Sequence, residues 1–158
     1  MRQGLLSAFA LLLMVPLSAC GFQPLYANGA AAGNITVEQI DGRPGHALRK
    51  ALIQELAAGL PGLEEDATLT VILDSRLSRL ALQPDEAASR TDVLGKAEYV
   101  LATGANAISG TIRAETSYNV PTEPFADITA QVDANERVMT VLARRMVDDM
   151  RLKLATEE

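Results

Sequence analysis

Ile108-Ser109-Gly110-Thr111-Ile112-Arg113-Ala114-Glu115-Thr116-Ser117-Tyr118 alternates without a break. Ile108, Gly110, Ile112, Ala114, Thr116 and Tyr118 fall on one side of an extended chain, and Ser109, Thr111, Arg113, Glu115 and Ser117 on the other. Period-two alternation of this kind is a strand with one face on a core and one in water, the pattern of antiparallel sheets. Pro121 and Pro124 end it, and the period then changes. From about Phe125 to Leu154 the apolar residues recur at helical spacing. Ile128, Val132, Met139, Leu142 and Met146 form a stripe that Val138, Val141 and Met150 widen. Asp133, Glu136, Arg137, Arg144 and Asp148 take the solvated side. A half-buried strand followed by a long amphipathic helix points to a helix layer on a sheet.

The upstream chain completes that layer. Thr103-Gly104-Ala105-Asn106 is a hairpin turn, preceded by a strand over about Val93 to Ala102. Before it stands a polar connection, Gln83 to Asp92. An earlier strand from about Ala67 sets Leu69, Val71, Leu73 and Leu77 against Thr68, Thr70, Asp74, Arg76 and Ser78. Its phase falters at Arg79 and Leu80, which predicts a bulge or the strand's end. Leu48, Leu52, Leu56 and Leu60 fall four apart with Ile53 and Ala57 beside them. They predict a helix to about Ala58, stopped by Gly59 and Pro61-Gly62. A short strand, Asn34 to Ile40, comes first, with Ile35, Val37 and Gln39 alternating with Thr36, Glu38 and Ile40. The order is β-α-β-β-β-α. The expected fold is α+β: a two-layer sandwich, two helices on one face of a mainly antiparallel four-stranded sheet.

The amino-terminal segment predicts export. Arg2 is followed by the apolar run Leu5 to Val15, too short to span a bilayer, and then by Leu17-Ser18-Ala19-Cys20. Residues 1–19 read as a signal peptide ending in a bacterial lipobox, residues 20–33 as a lipidated tether and residues 34–158 as the domain. Cys20 would carry a diacylglyceryl thioether and, after cleavage, an acylated amino terminus. It is the only cysteine, so no intramolecular disulfide exists and stability rests on the core. Most of the tether is small or turn-forming; Phe22, Leu25 and Tyr26 are its large apolar residues.

Twenty Asp and Glu against 14 Lys and Arg give a net charge of −6, which argues against a nucleic-acid partner. His46 is the only histidine and has no nucleophile or orienting acid in a recognisable motif. One histidine and one lipid-bearing cysteine leave only carboxylates for a metal, and Glu64-Glu65-Asp66 and Asp148-Asp149 read as solvated charge. No catalytic residue, metal or cofactor is expected.

The chain resembles the LPS-assembly lipoproteins (LptE). Cys20-Gly21-Phe22-Gln23-Pro24-Leu25-Tyr26 is similar to that family's Gly-Phe-x-Pro-Leu-Tyr signature after the lipobox. Gly110-Thr111-Ile112-Arg113-Ala114-Glu115-Thr116-Ser117-Tyr118-Asn119 resembles its last strand, and Glu136-Arg137, Leu142-Ala143 and Arg144 to Leu152 continue the likeness. The match is closest to alphaproteobacterial members. The resemblance implies a non-enzymatic lipoprotein at the inner leaflet of the outer membrane. It would plug and help assemble the LptD β-barrel and take part in delivering lipopolysaccharide to the surface. Gly21, rather than Asp, after the cysteine fits outer-membrane sorting. Contact with lipopolysaccharide phosphates would need basic side chains, and Arg76, Arg79 and Arg90 flank the end of the second strand and the polar connection after it. Two other readings stand beside this one: an auxiliary lipoprotein of a different envelope lipid or solute transporter, and a periplasmic hydrolase built around His46.

Overall fold

In the computed structural model, the described residues are 33–80, 90–104, 106–121 and 123–156. The signal peptide, Cys20, the Phe22–Tyr26 segment and residues 81–89 lie outside them. The elements are β1 (Ile35–Val37), α1 (Gly42–Glu55) with a 3-10 turn (Leu56–Ala58), β2 (Ala67–Leu80), β3 (Arg90–Ala102), β4 (Ala107–Asn119) and α2 (Pro124–Leu154). The sheet order is β1-β2-β3-β4, with β1 parallel to β2 and the other pairs antiparallel. The chain has the expected α+β architecture.

The β2-β3-β4 meander follows from its alternation. In register, Leu69, Val71 and Leu73 share a face with Ala97, Tyr99, Leu101, Ile108, Ile112 and Ala114. That face meets the helices. The core holds Leu48 and Leu52 of α1, and Val138, Met139, Leu142, Met146 and Met150 of α2. Each such side chain contributes about 1.5–3 kcal/mol by leaving water. Two i, i+4 rows on α2, Ala134-Val138-Leu142-Met146-Met150 and Met139-Ala143-Val147, are all buried. At Gly95 a Cβ would stand 2.9 Å from Val138 Cγ1. The missing side chain lets α2 cross β3 closely. Gly59, at φ 75°, ends the 3-10 turn in a conformation open to glycine. Thr103 N donates to Asn106 O at 2.8 Å and closes the β3–β4 hairpin.

Four expectations are corrected. The ladder from β2 to β3 runs unbroken to Leu80 opposite Arg90, so of the two outcomes expected there the strand's end holds, at Leu80, and the bulge at Arg79 does not. β3 begins at Arg90, which shortens the predicted connection, because main-chain pairing continues where side-chain alternation has faded. β1 stops at Val37, and the turn that follows buries Ile40 on the side the alternation gave to Gln39. Ile53, Ile128 and Val141, read as part of the apolar stripes, are exposed.

Ile128 is outside the core because the two helices differ in length. At 1.5 Å per residue, α1 is about 21 Å long and α2 about 46 Å. β2, at 3.3 Å per residue, is also about 46 Å. α2 therefore runs the whole length of the sheet while α1 covers roughly half of it. Where α1 is lacking, Leu77 keeps 45% of its surface and Ile128 59%.

Candidate functional site

Three places combine geometry with chemistry. The first joins β3, β4 and the carboxyl-terminal part of α2. Tyr99, 2% exposed, donates its hydroxyl to Asp149 Oδ2 at 2.5 Å. Lys153 Nζ donates to the same oxygen at 2.8 Å and to the Ser109 carbonyl at 2.5 Å. All of this lies over Gly110, where a Cβ would stand 2.6 Å from Asp149 Oδ2 and from Tyr99 Cε1. Burial alone would lift the Asp149 carboxyl, but the hydrogen bonds from Lys153 and Tyr99, with the Lys153 charge, outweigh it and hold the pKa below its usual value. Burial, then the bond and charge of Asp149, raise the Tyr99 pKa well above the ordinary phenol range. A phenol so held is neither base nor nucleophile near neutral pH. The arrangement is a polar lock between layers, and Asp149, read from sequence as solvated charge, is part of it.

The second place is the outer sheet face. Asp74, Lys96 and Arg113 are opposite one another on adjacent strands, as are Arg76, Leu94 and Glu115. A shallow basin of about 510 Å³ lies among these residues, with Arg145 at its border. The face is charged in both signs, with Ile72 and Val100 exposed within it.

The three arginines singled out from sequence do not form one cluster. Arg76 and Arg90 share the outer face, four ladder positions apart, or about 13 Å along the strands. Arg76 is held by Asp74, at 2.7 and 3.1 Å, and Arg90 Nη2 donates to Ser117 Oγ at 2.6 Å. Arg79 lies on the opposite, helix-side face, two residues beyond Leu77. The expected convergence depended on a bulge that the ladder lacks.

The third place is the uncovered wedge beside the short helix. A groove of about 590 Å³ runs between α1 and the first half of α2 and reaches β2 at Ser75 and Leu77. Its walls include Ala47, Ala51, Ile128 and Val132. Arg43 and Lys50 stand along the α1 wall with His46 between them, and Glu136 is on the α2 wall. His46 is exposed and is among the groove residues rather than in any triad. Sequence reading missed this groove and the Tyr99 lock; Gly110 within a strand was the single local sign of the latter.

No protein-family model and no curated protein sequence matches this chain. Solved structures do. A chain from Caulobacter crescentus CB15, classed provisionally as a lipoprotein, superposes with a TM-score of 0.60 at 25% identity over 77% of this chain and 90% of its own. Rare lipoprotein B from Shewanella oneidensis gives 0.58 at 15% identity, over 79% and 98%. A minor lipoprotein from Acinetobacter baumannii gives 0.54 at 15%, over 76% and 93%. This chain has a fold found among bacterial lipoproteins.

Proposed function

We propose that this chain is an outer-membrane lipoprotein of the LPS-assembly type, anchored through Cys20, that plugs and helps assemble an LptD-type β-barrel and takes part in lipopolysaccharide delivery. The carrying observation is a coincidence of two independent features. The Cys20-Gly21-Phe22-Gln23-Pro24-Leu25-Tyr26 run resembles the family signature, and the sandwich behind it has a fold found in bacterial lipoproteins, rare lipoprotein B among them.

The physical design suits the role. The interior of a large outer-membrane barrel is polar and wet. A small sandwich whose outer sheet face carries Asp74, Arg76, Lys96, Glu98, Arg113 and Glu115 meets such a lumen without burying an unpaired charge. Several acyl chains on Cys20 would hold it stably at the membrane, where one chain alone would not. The role needs no catalytic residue, metal or cofactor.

The test is purification of the full chain from detergent-solubilised membranes. A large β-barrel protein is expected to co-purify, and labelled palmitate to enter the wild type but not Cys20→Ala. Lipidation without a barrel partner would assign the chain to another envelope transporter. No lipidation would remove the anchor and the reading with it.

A further inference from the structure

We infer that the groove between α1 and the first half of α2 holds an acyl chain of an anionic phospholipid, its phosphate gripped by Arg43 and Lys50. This inference stands independently of the barrel-plug reading. It begins with the shape. The groove exists because α1 ends far short of α2, so its length is that of the α1 wall. From Arg43 to Gln54 that is about 17 Å at 1.5 Å per residue, the reach of a medium-length acyl chain. Ala47, Ala51, Leu77, Ile128 and Val132 give the chain apolar walls. A helix 10–12 Å across laid along the α1 wall would take up roughly 1,300 Å³ or more, about twice the groove's 590 Å³, so an amphipathic helix is the poorer occupant.

Charge selects the head. Arg43 and Lys50 are seven residues apart, two turns on one side of α1, with flexible stems that converge readily. Neither has a carboxylate partner among the described residues, whereas Arg76, Arg90, Lys96, Arg137, Arg144, Arg151 and Lys153 all do. Arg49, Arg79, Arg113 and Arg145 also lack one among the described residues, so what sets Arg43 and Lys50 apart is their place on the wall of an apolar slot in a chain with a net charge of −6. Glu136, the one acidic side chain lining the groove among the described residues, is on the opposite wall. Arg79, two residues past Leu77 on the same face of β2, adds a third base at the end not covered by α1. A phosphate beside Arg43 and Lys50 would make charge-assisted hydrogen bonds while its tail enters the slot. The size of the groove fits one or two chains, not the many chains of a lipid A.

The experiment uses the full chain in non-ionic detergent with phosphatidylglycerol bearing a photoreactive group in its tail. Label is expected on the peptides containing Leu77 and Ile128 to Val132. Ala47→Phe, which fills the slot, should reduce that labelling about tenfold, the equivalent of about 1.4 kcal/mol. Arg43→Ser with Lys50→Ser, both exposed and harmless to the core, should remove the preference for phosphatidylglycerol over phosphatidylcholine with the same tail. The inference is overturned if label spreads evenly over the outer sheet face, or if the double variant keeps the preference. It is overturned equally if unlabelled lipopolysaccharide competes and phosphatidylglycerol does not, which would give the slot to a different lipid. Protection of the slot only by a co-purified barrel would make it a protein interface instead.

Discussion

Gly110 has no side chain because Tyr99, Asp149 and Lys153 already fill the space above it. A methyl group there would meet atoms at 2.6 to 2.7 Å, and those atoms are held by each other rather than free to swing aside. Gly110→Ala is expected to cost about 1–3 kcal/mol as an overpacking change, read as a lower midpoint in chemical denaturation. An unchanged midpoint would mean that the three side chains give way at no cost. The lock also sets a pH dependence. A carboxyl depressed in the folded chain stabilises the fold above its unfolded pKa of about 4 and loses that contribution as the pH falls through the folded value. Asp149→Asn is therefore expected to be about 1–3 kcal/mol less stable at pH 7 and to lose less than the wild type on acidification below about pH 4. Parallel acid-denaturation curves for the two proteins would contradict that assignment.

Among the elements, β4 is an edge strand of 13 residues, long enough to pair with a foreign chain. α2 blunts that edge. Arg145 Nη1 donates to the Arg113 carbonyl at 2.7 Å and Lys153 Nζ to that of Ser109 at 2.5 Å. The two carbonyls are four residues apart and so project from the same side of the strand. Arg145→Ser with Lys153→Ser is expected to raise self-association, measured by sedimentation at increasing concentration; a chain as monomeric as the wild type would show the caps to be incidental. These elements differed in how plainly the sequence announced them. β4 was legible from its period alone, and Gly59 and Pro61-Gly62 marked the end of the first helix. The end of β2 showed as the loss of alternation at Arg79 and Leu80, but an end could not be told from a bulge, because only the ladder to β3 sets the phase there. The early turns of α2 misled for a related reason: periodicity placed Ile128 on the apolar stripe, and nothing local said that α1 would be too short to cover it. The Tyr99–Asp149 bond spans 50 residues and left no trace in any window of sequence.

On the scale of the molecule, stability rests on one shared layer, with no disulfide to assist it. Leu52 and Met146, both fully buried, come from different helices and belong to the same core. Leu52→Ala and Met146→Ala are each expected to cost about 2–5 kcal/mol and to lower the melting temperature in a single transition. Two separate transitions would mean that the helices are held independently. The way the chain enters this layer has a mechanical consequence. Gly33 N is bonded to the Leu63 carbonyl at 2.8 Å, Ala67 N to the Asn34 carbonyl at 2.9 Å and Glu38 N to the Leu69 carbonyl at 3.0 Å, with β1 paired in parallel between them. A pull on the preceding chain directed along β1 loads these bonds together, in shear, instead of peeling them off singly. The first strand is short, but under such a load it acts as a clamp: the rate of forced unfolding is set by several bonds breaking at once.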